Sequence, residues 1–235
     1  MTAKLLAGVA GAGLTILLSS PAAHATLALE FIQGASTLTI VDNGPGDTNP
    51  APGVIGIASG TTVGTFTIDN AGSIGFPTAG SPTSPVLDMN SLDVTNTGAP
   101  GTLQILVSET DFATSGLVSF TGQLGGTMTT QSINYNAFLG TANTLFTETT
   151  PIDGAGLSFT SSPFAGTING TQNTAPPYSL TEEVDVTGNG TGQLVSFDAQ
   201  LTGRPVPEPT TLALFGTALV GVGLFGRRRR RAASH

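Results

Sequence analysis

Between Thr26 and Gly203 the chain has no lysine, arginine, histidine, cysteine or tryptophan. Each absence closes a class of chemistry. Without lysine or arginine there is no basic footprint, so nucleic acid is excluded as a partner. Phosphate clamps and P-loops fall for the same reason. Without histidine or cysteine there is no Ser-His-Asp triad, no thiolate nucleophile and no ordinary zinc, copper or haem site. No disulfide can staple the fold, so burial and sheet hydrogen bonds must hold it. The basic residues are Lys4, Arg204 and Arg227 to Arg231. Of 15 acidic residues only Glu208 lies outside the central stretch, which leaves it 14 negative charges and no positive one. Self-repulsion then opposes compaction, and salt should relieve it.

Aromatic polar groups are nearly as scarce. Sugars are often held on exposed tryptophan or tyrosine, and this chain offers only Tyr135 and Tyr178. Tyr135 shares a parity with Ile133 and reads as core. Tyr178 follows Pro176-Pro177 and reads as an exposed loop residue.

What the stretch does have is alternation. Leu38 and Ile40, then Leu103, Ile105 and Val107, then Val118, Phe120 and Leu124 recur at every second position. Val195, Phe197, Ala199 and Leu201 face one way while Ser196, Asp198 and Gln200 face the other. Leu180, Val184 and Val186 repeat the pattern, with Glu182 on the apolar parity. Period two with threonine-rich polar faces predicts strands buried on one side. Turn signals punctuate them at Asp42–Gly46, Asp69–Gly72, Asn96–Gly98, Gly125-Gly126, Asn169-Gly170 and Asn189-Gly190. The last of these reads as a hairpin between the final two strands. No sustained helical period occurs between the two termini. The expected fold is all-β: one antiparallel β-sandwich, jelly-roll-like, over residues 26–203.

Carboxylates are the only strong chemical groups left. Asp42, Asn43, Asp47 and Asn49 crowd a glycine-rich loop and offer hard oxygen ligands for calcium, though Asx-rich turns arise for backbone reasons alone. Their spacing fits neither an EF-hand nor an RTX repeat. Glu182, Glu183 and Asp185 form a second cluster, in which Glu183 and Asp185 share one strand face and read as solvated. Glu109 and Asp111 share a parity at a strand end. A pair of carboxylates can hydrolyse glycosides, but nothing in the sequence brings a pair together. No catalytic, cofactor or metal residue is therefore assigned, and the stretch is read as non-catalytic. Asn169-Gly170-Thr171 and Asn189-Gly190-Thr191 match the N-glycosylation acceptor pattern and read equally as Asn-Gly turns.

The ends of the chain carry an address. Lys4 followed by the apolar Leu5–Leu18, then Pro21 and Ala23-His24-Ala25, has the layout of a signal peptide over residues 1–25, cleaved after Ala25. At the other end Pro205, Pro207 and Pro209 fix φ and remove donors, so residues 204–209 read as an extended spacer. Thr210–Gly226 carries no charge and would span roughly 25 Å as a helix. That is slightly short of the hydrocarbon core, and the expectation is one transmembrane helix with flanks that make up the difference. Arg227, Arg228, Arg229, Arg230 and Arg231 then hold residues 227–235 on the cytoplasmic side.

This three-part tail, with Pro207-Glu208-Pro209 as its motif, resembles the PEP-CTERM sorting signal of bacterial exported proteins. The resemblance implies recognition at Pro207, Glu208 and Pro209 by an exosortase-type membrane protease, and an association with exopolysaccharide. It covers residues 205–231 and transfers no activity to the sandwich in front. The expectation is thus an exported surface or matrix protein, anchored with its ectodomain outside the cytoplasm and open to release. A carbohydrate-binding or calcium-dependent adhesive module is the alternative.

Overall fold

The structure is a computed structural model and describes residues 25–129, 132–207 and 214–219. The alternating segments fold as strands because one parity of each is apolar and can be buried only against a second layer. Two antiparallel sheets result, each of seven strands among the described residues.

In chain order the strands are β1 (Leu27–Gln33), β2 (Ser36–Val41), β3 (Val54–Gly56), β4 (Thr61–Val63), β5 (Phe66–Ile74), β6 (Val86–Asn96) and β7 (Gly101–Phe112). There follow β8 (Gly116–Met128), β9 (Ser132–Gly140), β10 (Thr150–Pro151), β11 (Leu157–Phe159), β12 (Phe164–Thr174), β13 (Tyr178–Gly188) and β14 (Gln193–Pro205). The first sheet runs β10-β9-β13-β7-β1-β2, with β11 also on β9. The second runs β12-β8-β14-β6-β5-β3, with β4 also on β5.

The long strands from β6 onward switch sheets at every step: β6 second, β7 first, β8 second, β9 first, β12 second, β13 first, β14 second. This corrects the expected Asn189-Gly190 hairpin. β13 pairs with β7 and β9, and β14 pairs with β6 and β8. The loop between β13 and β14 carries the chain across the sandwich. An Asn-Gly signal reports a local reversal and cannot say which strand lies next door.

Three other expected turns also lie inside strands. Asp69–Gly72 falls in β5, where two register shifts against β6 absorb it. Gly125-Gly126 lies in β8 and Asn169-Gly170 in β12. The glycines serve close approach instead: a Cβ at Gly126 would run into the Ser196 carbonyl, and one at Gly170 into that of Ile152.

The inner faces meet in one core. Leu103, Ile105 and Val107 of β7 and Leu180, Val184 and Val186 of β13 pack against Val118, Phe120 and Leu124 of β8 and Val195, Phe197, Ala199 and Leu201 of β14. Tyr135 is buried there, as its parity requires. Tyr178 is buried too, against expectation. It opens β13 instead of sitting in the loop, and its ring lies 5.7 Å from that of Phe112.

The chain enters and leaves the sandwich at one end, beside the β7–β8 turn. The Thr26 amide donates to Thr110 Oγ1 at 3.1 Å. β14 continues to Pro205, paired with Val118 on one side, so Arg204 and Pro205 belong to the sheet. Pro205 is tolerated because β6 no longer flanks the strand there.

Candidate functional site

Sorting residues come first. Pro207 is exposed, one residue after Val206, whose amide donates to the Leu117 carbonyl at 2.8 Å. Glu208, Pro209 and Arg227 to Arg231 lie outside the described residues, as does Ala23. Ala25 is described and partly buried, immediately before β1. Leu214–Leu219 are helical and exposed. Among the described residues no helix is long and apolar enough to cross a membrane.

Most of the carboxylates fall into four settings. Two point into the core. Register places Glu182 opposite Val107 and Ala137 on the inner face. It is fully buried and accepts a 2.8 Å hydrogen bond from the Tyr135 hydroxyl, while its Oε2 has no partner. Burial pushes its carboxyl well above the usual range, the Tyr135 bond opposing and the charge of Asp88 adding. Glu109 is the second. Its Oε1 accepts from the Phe76 amide at 3.0 Å and its Oε2 is unpartnered. Burial raises it to about 8, eased by the Phe76 bond and reinforced by the charge of Asp42. Glu182 thus points inward, as its apolar parity requires.

The expected solvated face fails for Glu183. This residue faces outward but is 7% exposed, and it accepts from Gln104 Nε2 at 2.7 Å and Asn136 Nδ2 at 3.3 Å. Loop 141–149 covers this side of the first sheet, with the Phe146 amide on Ser108 Oγ at 3.0 Å. The loop brings in Glu148, whose carboxyl is raised by burial and by the charges of Glu183, Asp185 and Glu30. Asp185 is raised to about 6, by burial first and Glu183 second. Four carboxylates thus converge from distant parts of the sequence. Glu109 and Asp111 do not converge: Asp111 turns away with φ 66° and is held by Asn143, both ways at 2.8 Å.

The Asx-rich loop is the third setting. Asp47 accepts from the amides of Asn43 (2.8 Å), Asn49 (2.9 Å) and Gly56 (3.0 Å). Asp42 accepts from the Gly53 amide at 2.8 Å, and Asn49 Oδ1 from that of Ala51 at 3.0 Å. These side chains are spent on ordering the backbone, the turn-forming use of such residues. Among the described residues no group of three or more acidic side chains is arranged to hold a metal.

The fourth setting is an open groove of about 750 Å³ on the outer face of the second sheet. Register builds it. Asp88 of β6, Gln200 of β14, Gln123 of β8 and Thr167 of β12 stand opposite one another in one row across four strands. The adjoining row is Asp198, Gly125 and Ala165, almost without side chains on its far half. A β-bulge shapes the near end. Asn90 and Ser91 of β6 together oppose Asp198 of β14, and Ser91 adopts φ 52°. Its amide then donates to Asp198 Oδ1 at 2.6 Å. Gln200 Nε2 donates to Asp88 Oδ2 at 3.0 Å. Burial lifts the Asp88 carboxyl, with the Gln200 bond opposing and the Asp198 charge adding.

The sequence shows Asp198 and Gln200 as outward residues of one strand. The groove has no signal there, because its walls come from four strands whose neighbourhood only the topology sets. Asn169 and Thr171 also lie outward on β12, exposed.

Residues 205–231 match the family described as the PEP-CTERM protein-sorting motif. No curated protein matches the chain. Among solved structures it is similar to TmCBM61 in complex with β-1,4-galactotriose: 8% identity, TM-score 0.30, covering 55% of this chain and 85% of that one. TmCBM27, a carbohydrate-binding module that recognises mannan, gives 10% identity and TM-score 0.23, over 60% and 90% of the two chains. A structure of infectious bursal disease virus gives 14% and 0.30, over 83% and 53%.

Proposed function

We propose that this chain, a PEP-CTERM sorting-signal protein, is an exported, non-catalytic component of the cell surface or extracellular matrix, associated with exopolysaccharide. The signal implies export, membrane association at the envelope and processing by exosortase. One observation carries the reading. The matched tail begins inside the last residue of β14, and the Pro207-Glu208-Pro209 motif follows after Val206 alone. The exit end of the sandwich therefore lies directly at the sorting signal, with one residue between strand and motif.

The non-catalytic part rests on chemistry. No histidine, cysteine or lysine lies between Thr26 and Gly203 to act as base or activated nucleophile. Glu109 and Glu182 are sealed in the core.

The test is fractionation of cells followed by intact mass of the protein found outside. The expected mass lacks Arg227 to Arg231, and Glu208→Ala leaves the precursor in the membrane. An external protein that keeps the five arginines sinks the processing. Turnover of an ester or peptide by the purified protein, lost on mutating one carboxylate, sinks the non-catalytic reading.

A second reading, the carbohydrate-binding module, is favoured by the polar groove on the second sheet. Its calcium-dependent form has less support, since backbone amides already occupy Asp47 and one oxygen of Asp42.

A further inference from the structure

We infer that the groove on the second sheet binds a neutral, hydroxyl-rich polysaccharide chain laid across the strands, and that it rejects acidic polysaccharides. This rests on the carbohydrate-binding reading and names its site and ligand class.

Shape comes first. Gly125 and Ala165 form a trough beside the bank made by Gln200, Gln123 and Thr167. The row crosses four strands, roughly 14 Å at the usual inter-strand spacing. An open trough of that length suits a segment of polymer more than an enclosed small molecule.

Chemistry comes second. Sugar hydroxyls donate and accept at once, so they need both kinds of partner in fixed places. Asp198 is fixed by the Ser91 amide through one oxygen, and the other is left for a donor. Gln200 is fixed through its amide nitrogen on Asp88, which leaves its Oε1 as acceptor. The side chains of Gln123 and Thr167 make no hydrogen bond to protein among the described residues and can serve both roles. Bonds to a charged acceptor are the stronger kind. Preorganisation of Asp198 and Gln200 lowers the ordering cost on binding.

Charge supplies the selectivity. Asp88 and Asp198 both line the groove, and no positive group lines it. A uronate or sulfate brought there meets two carboxylates and no counter-charge. No exposed aromatic of the sandwich is present among the described residues to add stacking. Single-site affinity is therefore weak, roughly millimolar, and retention on a polymer depends on many copies held at one surface.

The experiment uses the full chain in detergent, by affinity electrophoresis through gels containing a neutral galactan, a neutral mannan, dextran or polygalacturonate at low salt. Gly125→Thr fills the trough, and the fold tolerates it because a Cβ there meets nothing nearer than 3.8 Å. Asp198→Ala removes the charged acceptor. The expected result is retardation by at least one neutral gel, weakened about tenfold by either variant, with the melting temperature of Gly125→Thr unchanged. Retardation unaffected by both variants overturns the groove as the site. Equal retardation by polygalacturonate overturns the charge selection while the carbohydrate reading stands. No retardation in any gel overturns that reading itself. Retardation abolished by a chelator overturns direct recognition in favour of a calcium bridge.

Discussion

Replacing Glu109 with glutamine should make the protein more stable in alkali, by an amount that grows with pH. The side chain is fully buried at the end of β7, with one oxygen on the Phe76 amide and the other unpartnered. Its folded value, about 8, lies above the 4.5 of the free group. The folded chain therefore holds a proton that the unfolded chain releases. Stability from this group is complete below 4.5, falls as the pH rises towards 8, and is flat beyond. At about 1.4 kcal/mol per tenfold change, the loss across that window is about 5 kcal/mol. Glutamine cannot ionise and its carbonyl oxygen can still accept from Phe76. At pH 9 the variant should melt roughly 10–20 °C above the parent, at 2–4 °C per kcal/mol for a domain of this size. At pH 4.5 the two should nearly coincide. Thermal unfolding followed by far-ultraviolet circular dichroism from pH 4.5 to 9 measures both. Asp69→Asn is the control, since it removes the same charge from an exposed site on β5. If the gap between Glu109→Gln and parent does not widen with pH, or if Asp69→Asn widens equally, the effect is general charge relief and the reasoning about burial is wrong.

Three other perturbations follow from the same structure. Tyr135→Phe removes the only hydrogen-bond donor to Glu182 among the described residues and should cost about 1–3 kcal/mol in denaturant unfolding near neutral pH, whereas Glu182→Gln should be nearly neutral; equal losses in both would discredit the pairing. Asp47→Ala strips acceptors from three amides and should destabilise the loop before β3 by about 1–3 kcal/mol, seen as faster amide exchange at Asn43, Asn49 and Gly56, with no change on adding a chelator to the parent. Raising sodium chloride from 10 mM to 300 mM should raise the parent's melting temperature, because 14 like charges lack counter-charges between Thr26 and Gly203; a fall would show that self-repulsion is not dominant.

The sequence by itself determined the class of fold and the address. Alternation at Val195–Leu201 and Leu103–Val107 forces one-sided burial, and a proline motif, an uncharged run and terminal arginines are contiguous signals that need no partner. The lack of basic residues between Thr26 and Gly203 is equally plain in the sequence. It also placed Glu182 on the apolar parity, although its consequence, a carboxyl raised by burial against Tyr135, needed β9 beside β13. Only the tertiary structure decided the rest. Asn189-Gly190 became a crossover because strand order depends on which faces and edges are already taken. Gly125-Gly126 inside β8 and Asn169-Gly170 inside β12 resemble turns because close approach and reversal both select glycine. Glu30, Glu183 and Asp185 come near one another through strand register and Glu148 joins them on a loop, and Asp88, Gln123, Thr167 and Gln200 meet through register across four strands. Long-range pairing leaves no mark in local periodicity, so a site built between strands is invisible until the strands are placed.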